Sequence, residues 1–262
     1  MKKSRRHALG QHFLKNPRIL RKIVASIAPG VHDTIIEVGA GEGHLTSLLA
    51  EKAGHVIALE KDPRLIPGLR EMKFSNVSLL EVDVLAVRLR DIISVPRATV
   101  VGNLPYAIST PFLYKLIEER EAVQAGHFLL QKEVAERICS LQGSKKYGPL
   151  SILVQNHFQP RIAFSLGPGA FSPPPRVDSA LLSLTPRTQA QAPSLHDESD
   201  FRKFVHALFL QRRKTLRNNL KHMGWEKAEI EEASRRCGID PGSRPEQLAL
   251  DRIVCLFEAL SL

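Results

Sequence analysis

The tetrapeptide Asn103-Leu104-Pro105-Tyr106 packs a carboxamide, main-chain carbonyls and an aromatic ring into four residues. It follows the apolar run Ala98-Thr99-Val100-Val101-Gly102, which reads as a buried strand, so these groups emerge together at a strand's carboxyl end. Such a set suits a flat base gripped through its exocyclic amine. The two amine hydrogens need acceptors, which the Asn103 side-chain oxygen and a nearby carbonyl, best that of Leu104, can supply. Pro105 has no N–H and biases Leu104 towards an extended conformation, so the turn presents oxygens rather than donors. Tyr106 offers a face for stacking. The same residues also suit a helix-initiating turn with proline at its first position, and the tetrapeptide alone leaves both open.

A second constellation lies upstream. Thr34–Val38 reads as a strand, and Gly39-Ala40-Gly41-Glu42-Gly43 separates it from a helical pattern running from His44 to Lys52. A glycine-rich turn there lets a ligand approach the backbone and receive its amide hydrogens. Dinucleotide, nucleotide and S-adenosylmethionine sites all use this device. A dinucleotide fingerprint wants its third glycine at position 44, which is His44. The next strand, His55–Leu59, ends in Glu60, placed to accept from ribose hydroxyls, and Val77–Val82 ends in Asp83, placed to accept from an adenine amine. Each acid singly could be a solvated loop carboxylate; three successive strands ending in a glycine turn, an acid and an acid are harder to ascribe to chance.

In order, Glu37–Gly43, Glu60, Asp83 and Asn103–Tyr106 resemble the motif series of the adenine N,N-dimethyltransferases acting on ribosomal RNA. Leu9-Gly10-Gln11-His12-Phe13-Leu14 is similar to that family's amino-terminal cofactor motif. Leu130–Arg137 and Phe171–Ser179 are similar to two later signatures, and Gln211–Leu220 resembles the second-domain segment of the small-subunit branch. The resemblance covers nearly the whole chain and implies a Rossmann-like S-adenosylmethionine-dependent methyltransferase fold with a small all-helical C-terminal domain. It also implies dimethylation of two adjacent adenines near the 3′ end of small-subunit rRNA, with a role in subunit biogenesis. His12 departs from the pattern, since many relatives carry Asn there; a neutral imidazole still hydrogen-bonds.

The chemistry asked of the site is modest. The adenine amine is a poor nucleophile, but S-adenosylmethionine supplies a strongly electrophilic methyl, so alignment and polarisation suffice and no protein nucleophile is needed. Asn103 and Leu104 hold the amine, Pro105 shapes the turn, and Tyr106 and Phe171 are expected to clamp the base on opposite faces. On the cofactor side, backbone amides at Gly39 and Gly41 meet the methionine portion, Glu60 the ribose and Asp83 the adenine. By resemblance Gln11, His12 and Leu14 close over the cofactor, and Asn103 borders it. Glu37 is read as orienting the glycine turn. Phe171 equally suits a core position in a Pro-rich turn, with Pro173–Pro175 stiffening it. Gln131, Lys132, Glu133 and Arg137 suit an exposed helical face and receive no chemistry.

A formal net charge of +10 over 262 residues points towards a polyanion, and its distribution sharpens the reading. Lys2, Lys3, Arg5 and Arg6 form a basic arm, and Arg212, Arg213, Lys214, Arg217 and Lys221 a second cluster, on what reads as an amphipathic helix from Gln211 to Leu220. Arg212, Arg213, Lys214 and Arg217 are assigned to RNA phosphates. Cys139, Cys237 and Cys255 are scattered, odd in number and without a CxxC pair, so they read as free thiols; the histidines show no metal spacing and no metal is expected. No apolar stretch approaches membrane-spanning length and Gln11-His12 interrupts the segment after the basic start, so a cytoplasmic location is expected. Nothing requires more than a monomer.

Strands and helices alternate from Thr34 onwards, the mark of a mostly parallel sheet covered on both faces. Asn16–Ala28 reads as a helix; Leu150–Phe158, Arg161–Ser165 and Ala180–Thr185 read as strands closing one sheet edge. A polar, proline-containing stretch places a linker at 188–200, between a catalytic domain at 1–187 (with its arm at 1–10) and a helical RNA-binding domain at 201–262. Two other functions compete: a large-subunit rRNA methyltransferase of the antibiotic-resistance branch, disfavoured by Leu104 and the Gln211–Leu220 segment, and a non-catalytic RNA-binding assembly factor, disfavoured by intact Glu60, Asp83 and Asn103–Tyr106. A dinucleotide oxidoreductase fails on glycine spacing.

Overall fold

A computed structural model describes residues 12–188 and 195–261. The chain runs through β1 (Phe13–Leu14), α1 (Pro17–Ile27), β2 (Thr34–Val38), α2 (His44–Ala50), β3 (His55–Glu60), α3 (Ile66–Glu71) and β4 (Val77–Glu81). It continues through α4 (Leu89–Ile92), β5 (Ala98–Asn103), α5 (Tyr106–Glu118), β6 (Val123–Gln131), α6 (Lys132–Ile138), α7 (Pro149–His157), β7 (Phe158–Leu166), β8 (Phe171–Ser172) and β9 (Ser179–Pro186). Four helices follow: α8 (Glu198–Leu208), α9 (Leu216–His222), α10 (Lys227–Cys237) and α11 (Leu250–Leu260).

Helix α1 starts where its sequence dictates. The Asn16 side chain accepts the amides of Arg18 and Ile19, and Pro17 fills the first turn, where a missing N–H costs nothing. Leu20, Ile23 and Val24 then fall on one face and are buried.

Seven strands form one sheet in the order β4-β3-β2-β5-β6-β9-β7. The pairs β3–β4, β2–β3, β2–β5 and β5–β6 are parallel, and β6–β9 is antiparallel. The chain leaves β2 for β3 on one side and returns to β5 on the other, so the order reverses beside β2. Ligands of open α/β sheets bind outside the strands' carboxyl ends at such a point. Val38 lies level with Leu59 and with Gly102, and Glu60 level with Glu81, so four strand ends finish at one height. Ile35, Ile36, Val56, Ala58, Val100 and Val101 are fully or almost fully buried, as expected of strands covered on both faces. The pair β1–β8 stands apart, with Leu14 opposite Phe171.

Packing divides the chain into two compact units. One extends to Ala135 and takes in Pro160–Pro186; the other comprises Glu136–Gln159 and Arg187 onwards. Residues 136–159 therefore belong to the same unit as the C-terminal helices. Within the expected linker, 189–194 lie outside the described residues, and α8 begins at Glu198, capped by Asp197 through the amide of Asp200.

Three expectations need correction. The run Leu150–Phe158 is not an edge strand: 149–157 form α7, in which Leu150 to Asn156 are all buried. A segment buried on every side carries no alternation, so periodicity does not separate strand from helix. The Gln155 amide donates to the carbonyls of Ile138 and Ser140 at 2.7 and 2.8 Å, which fixes the helix in place. Second, Gln211–Leu220 is not one helix. Thr215 caps α9 through the amide of Asn218, and the Asn219 side chain reaches back to the carbonyls of Gln211, Lys214 and Thr215, stabilising turns over 209–214. Third, Cys237 and Cys255 form a disulfide, because the packing of α10 against α11 brings their Cα atoms within 5.8 Å. Counting cysteines along the chain carries no information about that juxtaposition.

Candidate active site

A cavity of about 770 Å³ opens at the carboxyl ends of β2, β3, β4 and β5. His12, Leu14, Gly39, Gly41, Glu60, Asp83, Asn103, Leu104, Pro105 and Tyr106 all line it, so ten expected site residues from five separate stretches of sequence meet there. Gln11 lies outside the described residues. Glu37, Lys61 and His127, which carried no assigned ligand role, also line the wall.

The glycine turn is strained in the way only glycine tolerates easily: Gly39 and Gly41 have φ of 74° and 61°. A Cβ on Gly41 would sit 3.3 Å from the Phe13 ring. The turn's amides, however, are not free donors. Those of Gly39 and Ala40 both point at the Leu59 carbonyl, at 2.9 and 3.0 Å, and that of Gly41 donates to Glu60 Oε2 at 2.8 Å. The expectation that the Gly39 and Gly41 amides meet a ligand is corrected: they tie β2 to β3, and the glycines contribute close approach.

Glu60 has taken the bracing role expected of Glu37. Its Oε1 accepts the amides of Lys61 and Asp62 at 2.9 and 2.8 Å while Oε2 holds Gly41. A carboxylate offers about four acceptor directions, so roughly one remains for a ligand hydroxyl. Asp83 sits at the next strand end, its Oδ2 2.6 Å from Lys61 Nζ and its Oδ1 accepting the Leu85 amide at 3.0 Å. The Lys61 ammonium, followed by that amide, holds the Asp83 carboxyl below its usual range.

Glu37 is the outlier. It is 2% exposed, and its Oε2 finds no hydrogen-bond partner among the described residues. Burial, reinforced by the charge of Glu60 and eased by the adjacent Thr46 hydroxyl, pushes its carboxyl up to about 8. A buried polar atom with no partner beside a ligand-sized cavity is what a site for a polar or cationic ligand group looks like before that group arrives.

At the end of β5, Asn103 Nδ2 donates to the His12 carbonyl at 2.7 Å. Because only the NH2 side of a carboxamide can donate, this bond fixes which way Asn103 points and leaves Oδ1 as an acceptor. His12 is itself anchored, its Nδ1 donating to the Pro173 carbonyl at 2.8 Å. The Pro105 carbonyl accepts from the Ile108 amide and Ser109 hydroxyl, whereas that of Leu104 accepts no hydrogen bond among the described residues. The Leu104 side chain is buried. Tyr106 opens α5; its hydroxyl lies 3.0 Å from Ser179 Oγ and its ring 5.6 Å from that of His12, which holds the aromatic face at the cavity wall.

Phe171 is not among the lining residues. At 6% exposure it packs in a cluster with Leu14, Leu20, Ile23, Leu129, Leu166 and Leu181. The described cavity wall therefore presents the Tyr106 ring, while the Phe171 ring packs among these apolar side chains. His127 was legible as a lone polar residue inside an apolar strand. Burial, with Arg161 adding to it, pushes it down to about 4, so it is neutral, 3.2 Å from the Ser183 hydroxyl.

Of the basic residues assigned to RNA, two make internal contacts in the second unit. Arg212 donates to the carbonyls of Lys145 and Tyr147 at 2.9 and 3.1 Å and pairs with Glu246 at 3.3 Å; Arg217 pairs with Glu231 at 2.7 Å. Arg213 and Lys214 are exposed and their side chains have no ion pair among the described residues.

Comparison with known proteins bears on the same residues. The family described as ribosomal RNA adenine dimethylase matches residues 2–261. The chain is 42% identical to ribosomal RNA small subunit methyltransferase A of Geobacter sulfurreducens, over 97% of this chain and 95% of that one. It is 39% identical to the protein of that name from Methylococcus capsulatus, over 98% of each. Among solved structures, a dimethyladenosine transferase from Plasmodium falciparum superposes with a TM-score of 0.82 at 25% identity, covering 96% of this chain and 99% of that one. The 23S rRNA methyltransferase ErmE shares the fold, with a TM-score of 0.72 at 23% identity over 95% of this chain and all of that one. The chain belongs to the ribosomal RNA adenine dimethylase family.

Proposed function

We propose that the protein dimethylates the exocyclic amine of two adjacent adenines near the 3′ end of small-subunit rRNA, using S-adenosylmethionine, and so acts in small-subunit biogenesis. The observation that carries the reaction is the orientation of Asn103: the His12 carbonyl takes its amide hydrogens and leaves Oδ1, beside the unpartnered Leu104 carbonyl, as a pair of acceptors at the end of β5. The small-subunit relatives, at 39–42% identity, favour that branch over the large-subunit one.

The site fits the cofactor. Its volume is ample, the glycine turn permits close approach, Glu60 keeps an acceptor direction for the ribose, Asp83 on the same wall suits the adenine amine, and Glu37 Oε2, without a partner among the described residues, suits a cationic group. When bound, S-adenosylmethionine supplies an electrophilic methyl. The protein's part is then alignment. Asn103 Oδ1 and the Leu104 carbonyl accept the amine's two hydrogens, which favours a pyramidal nitrogen with its lone pair free for in-line attack. Pro105 closes the turn without contributing a competing donor. Tyr106 stacks on the base, an interaction worth roughly 1–3 kcal/mol and comparable with the cost of extruding an adenine. The nitrogen loses its proton to water as the methyl is gained. Since carbonyl contacts position the nitrogen without enclosing it, the monomethyl amine fits as well. His12 and Leu14 hold the amino-terminal wall of the cofactor site, with Gln11 preceding them.

Arg213 and Lys214 are the phosphate contacts of the second unit, with Arg212 and Arg217 shaping the segment that carries them. The ten expected residues that line the cavity all come from one chain, which supports a monomer. No described helix is long and apolar enough to cross a membrane; a substrate in the small ribosomal subunit is what supports a cytoplasmic location. The test is methyl incorporation into unmodified small subunits, with large subunits in parallel and dimethyladenosine read by mass spectrometry. Dimethyladenosine in small subunits alone is expected. Product in large subunits would move the protein to the other branch, and no product with cofactor binding intact would leave an RNA-binding factor.

A further inference from the structure

The second unit exposes two large apolar side chains, Leu141 at 65% and Leu210 at 75%, on two different loops. Those loops are bolted together. From the 209–214 turn, Arg212 reaches the carbonyls of Lys145 and Tyr147 and pairs with Glu246, whose own carbonyl accepts the Gly143 amide at 2.7 Å. Tyr147 meets Phe209 edge-on at 6.3 Å. Segments Leu141–Tyr147 and Phe209–Lys214 contain five cationic residues and no acidic one. Arg212 is spent on the bolt and Lys146 on Glu136, leaving Lys145, Arg213 and Lys214 exposed beside the leucines.

We infer that residues 141–147 join the 209–214 turn in one rRNA-contacting surface, in which Lys145, Arg213 and Lys214 meet phosphates while Leu141 and Leu210 pack against exposed bases or sugars. This rests on the rRNA reading above and adds to it a second segment, distant in sequence, and an apolar contact. Protein-docking surfaces are depleted in lysine at their centres, whereas clustered cations without acids suit a polyanion. Apolar side chains inserted beside phosphate-bound cations are a recurrent way of gripping unstacked nucleotides. The internal bolt orders both loops before binding, so little is lost in ordering them on contact.

The test is binding of unmethylated small subunits over a salt series. Lys145→Ala is expected to weaken binding and reduce the slope of log affinity against log salt by about 0.7–0.9, one phosphate contact. The pair Leu141→Ser with Leu210→Ser is expected to lower affinity about tenfold, the scale of exposing one or more leucine side chains, with the salt slope unchanged. All three positions are exposed, so thermal unfolding should not move. Wild-type affinity and slope in Lys145→Ala would remove the 141–147 segment from the interface and overturn the inference, while leaving the rRNA reading intact if wild-type protein still binds and methylates. Failure of wild-type protein to bind small subunits would instead sink the rRNA reading. A photoreactive residue at 141 supplies the last arm: crosslinks to rRNA support the surface, and crosslinks only to a ribosomal protein overturn it.

Discussion

The cavity at the strand ends and the basic turn before α9 use polar side chains in opposite ways. In the cavity, the backbone delivers the groups: register brings Gly39, Glu60, Asp83 and Asn103 to one level, and hydrogen bonds then lock each in one orientation. In the turn, side chains build the backbone: Asn219 and Arg212 hold carbonyls in place, so part of the basic cluster also serves as scaffold. The lesson is that a charged residue's neighbours decide its work. Arg212 and Arg213 are adjacent, chemically identical and both exposed, yet Arg212 holds two carbonyls and a carboxylate while the Arg213 side chain has no ion pair among the described residues.

Four predictions break or sharpen that contrast. The largest effect belongs to Asn103→Ala, which removes an oriented acceptor; methyl transfer should fall by about 10²–10³, the range for losing one preorganised polar contact, with small-subunit binding nearly unchanged. Near-normal initial rates would show that orientation at the end of β5 is irrelevant. Next, Tyr106→Ala should slow transfer by about tenfold or more through lost stacking, and Tyr106→Phe, which keeps the ring but loses Ser179, by much less. Equal losses in the two would assign the effect to the hydroxyl.

Glu37→Gln probes the buried carboxyl through stability. Its pKa in the folded protein, about 8, lies above the ordinary 4.5, so the folded state retains a proton that the unfolded chain releases. The stabilising contribution is fully present below 4.5 and is lost as pH rises through 8, with a slope of at most about 1.4 kcal/mol per pH unit between. Denaturant midpoints from pH 5 to 9 should fall in wild-type protein relative to Glu37→Gln; parallel curves would mean that the carboxyl is not held protonated. The smallest effect separates the two arginines. Arg212→Ala should destabilise the protein by about 1–2 kcal/mol through its lost carbonyl bonds, while Arg213→Ala stays within about 0.5 kcal/mol. Thermal unfolding reads the difference, and equal shifts would erase the distinction between scaffold and surface.

Much of the catalytic unit was legible because its logic is local. A strand that ends in a glycine turn, and others that end in an acid or in Asn-Leu-Pro-Tyr, announce themselves by period and punctuation, and a parallel sheet gathers such ends on one edge. Asn16 and Pro17 marked the start of α1 for the same reason. What escaped were properties of contact. Leu150–Asn156 is buried on every side, its polar Ser151, Gln155 and Asn156 included, so its helix had no solvent face to betray it. Phe171 sits in a motif that suggested a base clamp, yet its partner across β1–β8 turns it into the core.

The amino-acid sequence by itself determined the alternating strands and helices from β2 to β6 and most of the residues that meet at their ends, because those follow from short-range periodicity and motif spacing, while the resemblance those motifs carry implied the chemistry. Only the tertiary structure decided that the glycine amides serve β3, that Glu60 braces the turn while Glu37 Oε2 has no partner among the described residues, that Cys237 finds Cys255, and that Arg212 holds the carbonyls of Lys145 and Tyr147. The reason is physical. A side chain's role is set by which donors, acceptors and apolar surfaces lie within about 3–4 Å of it, and those neighbours come from segments tens of residues away.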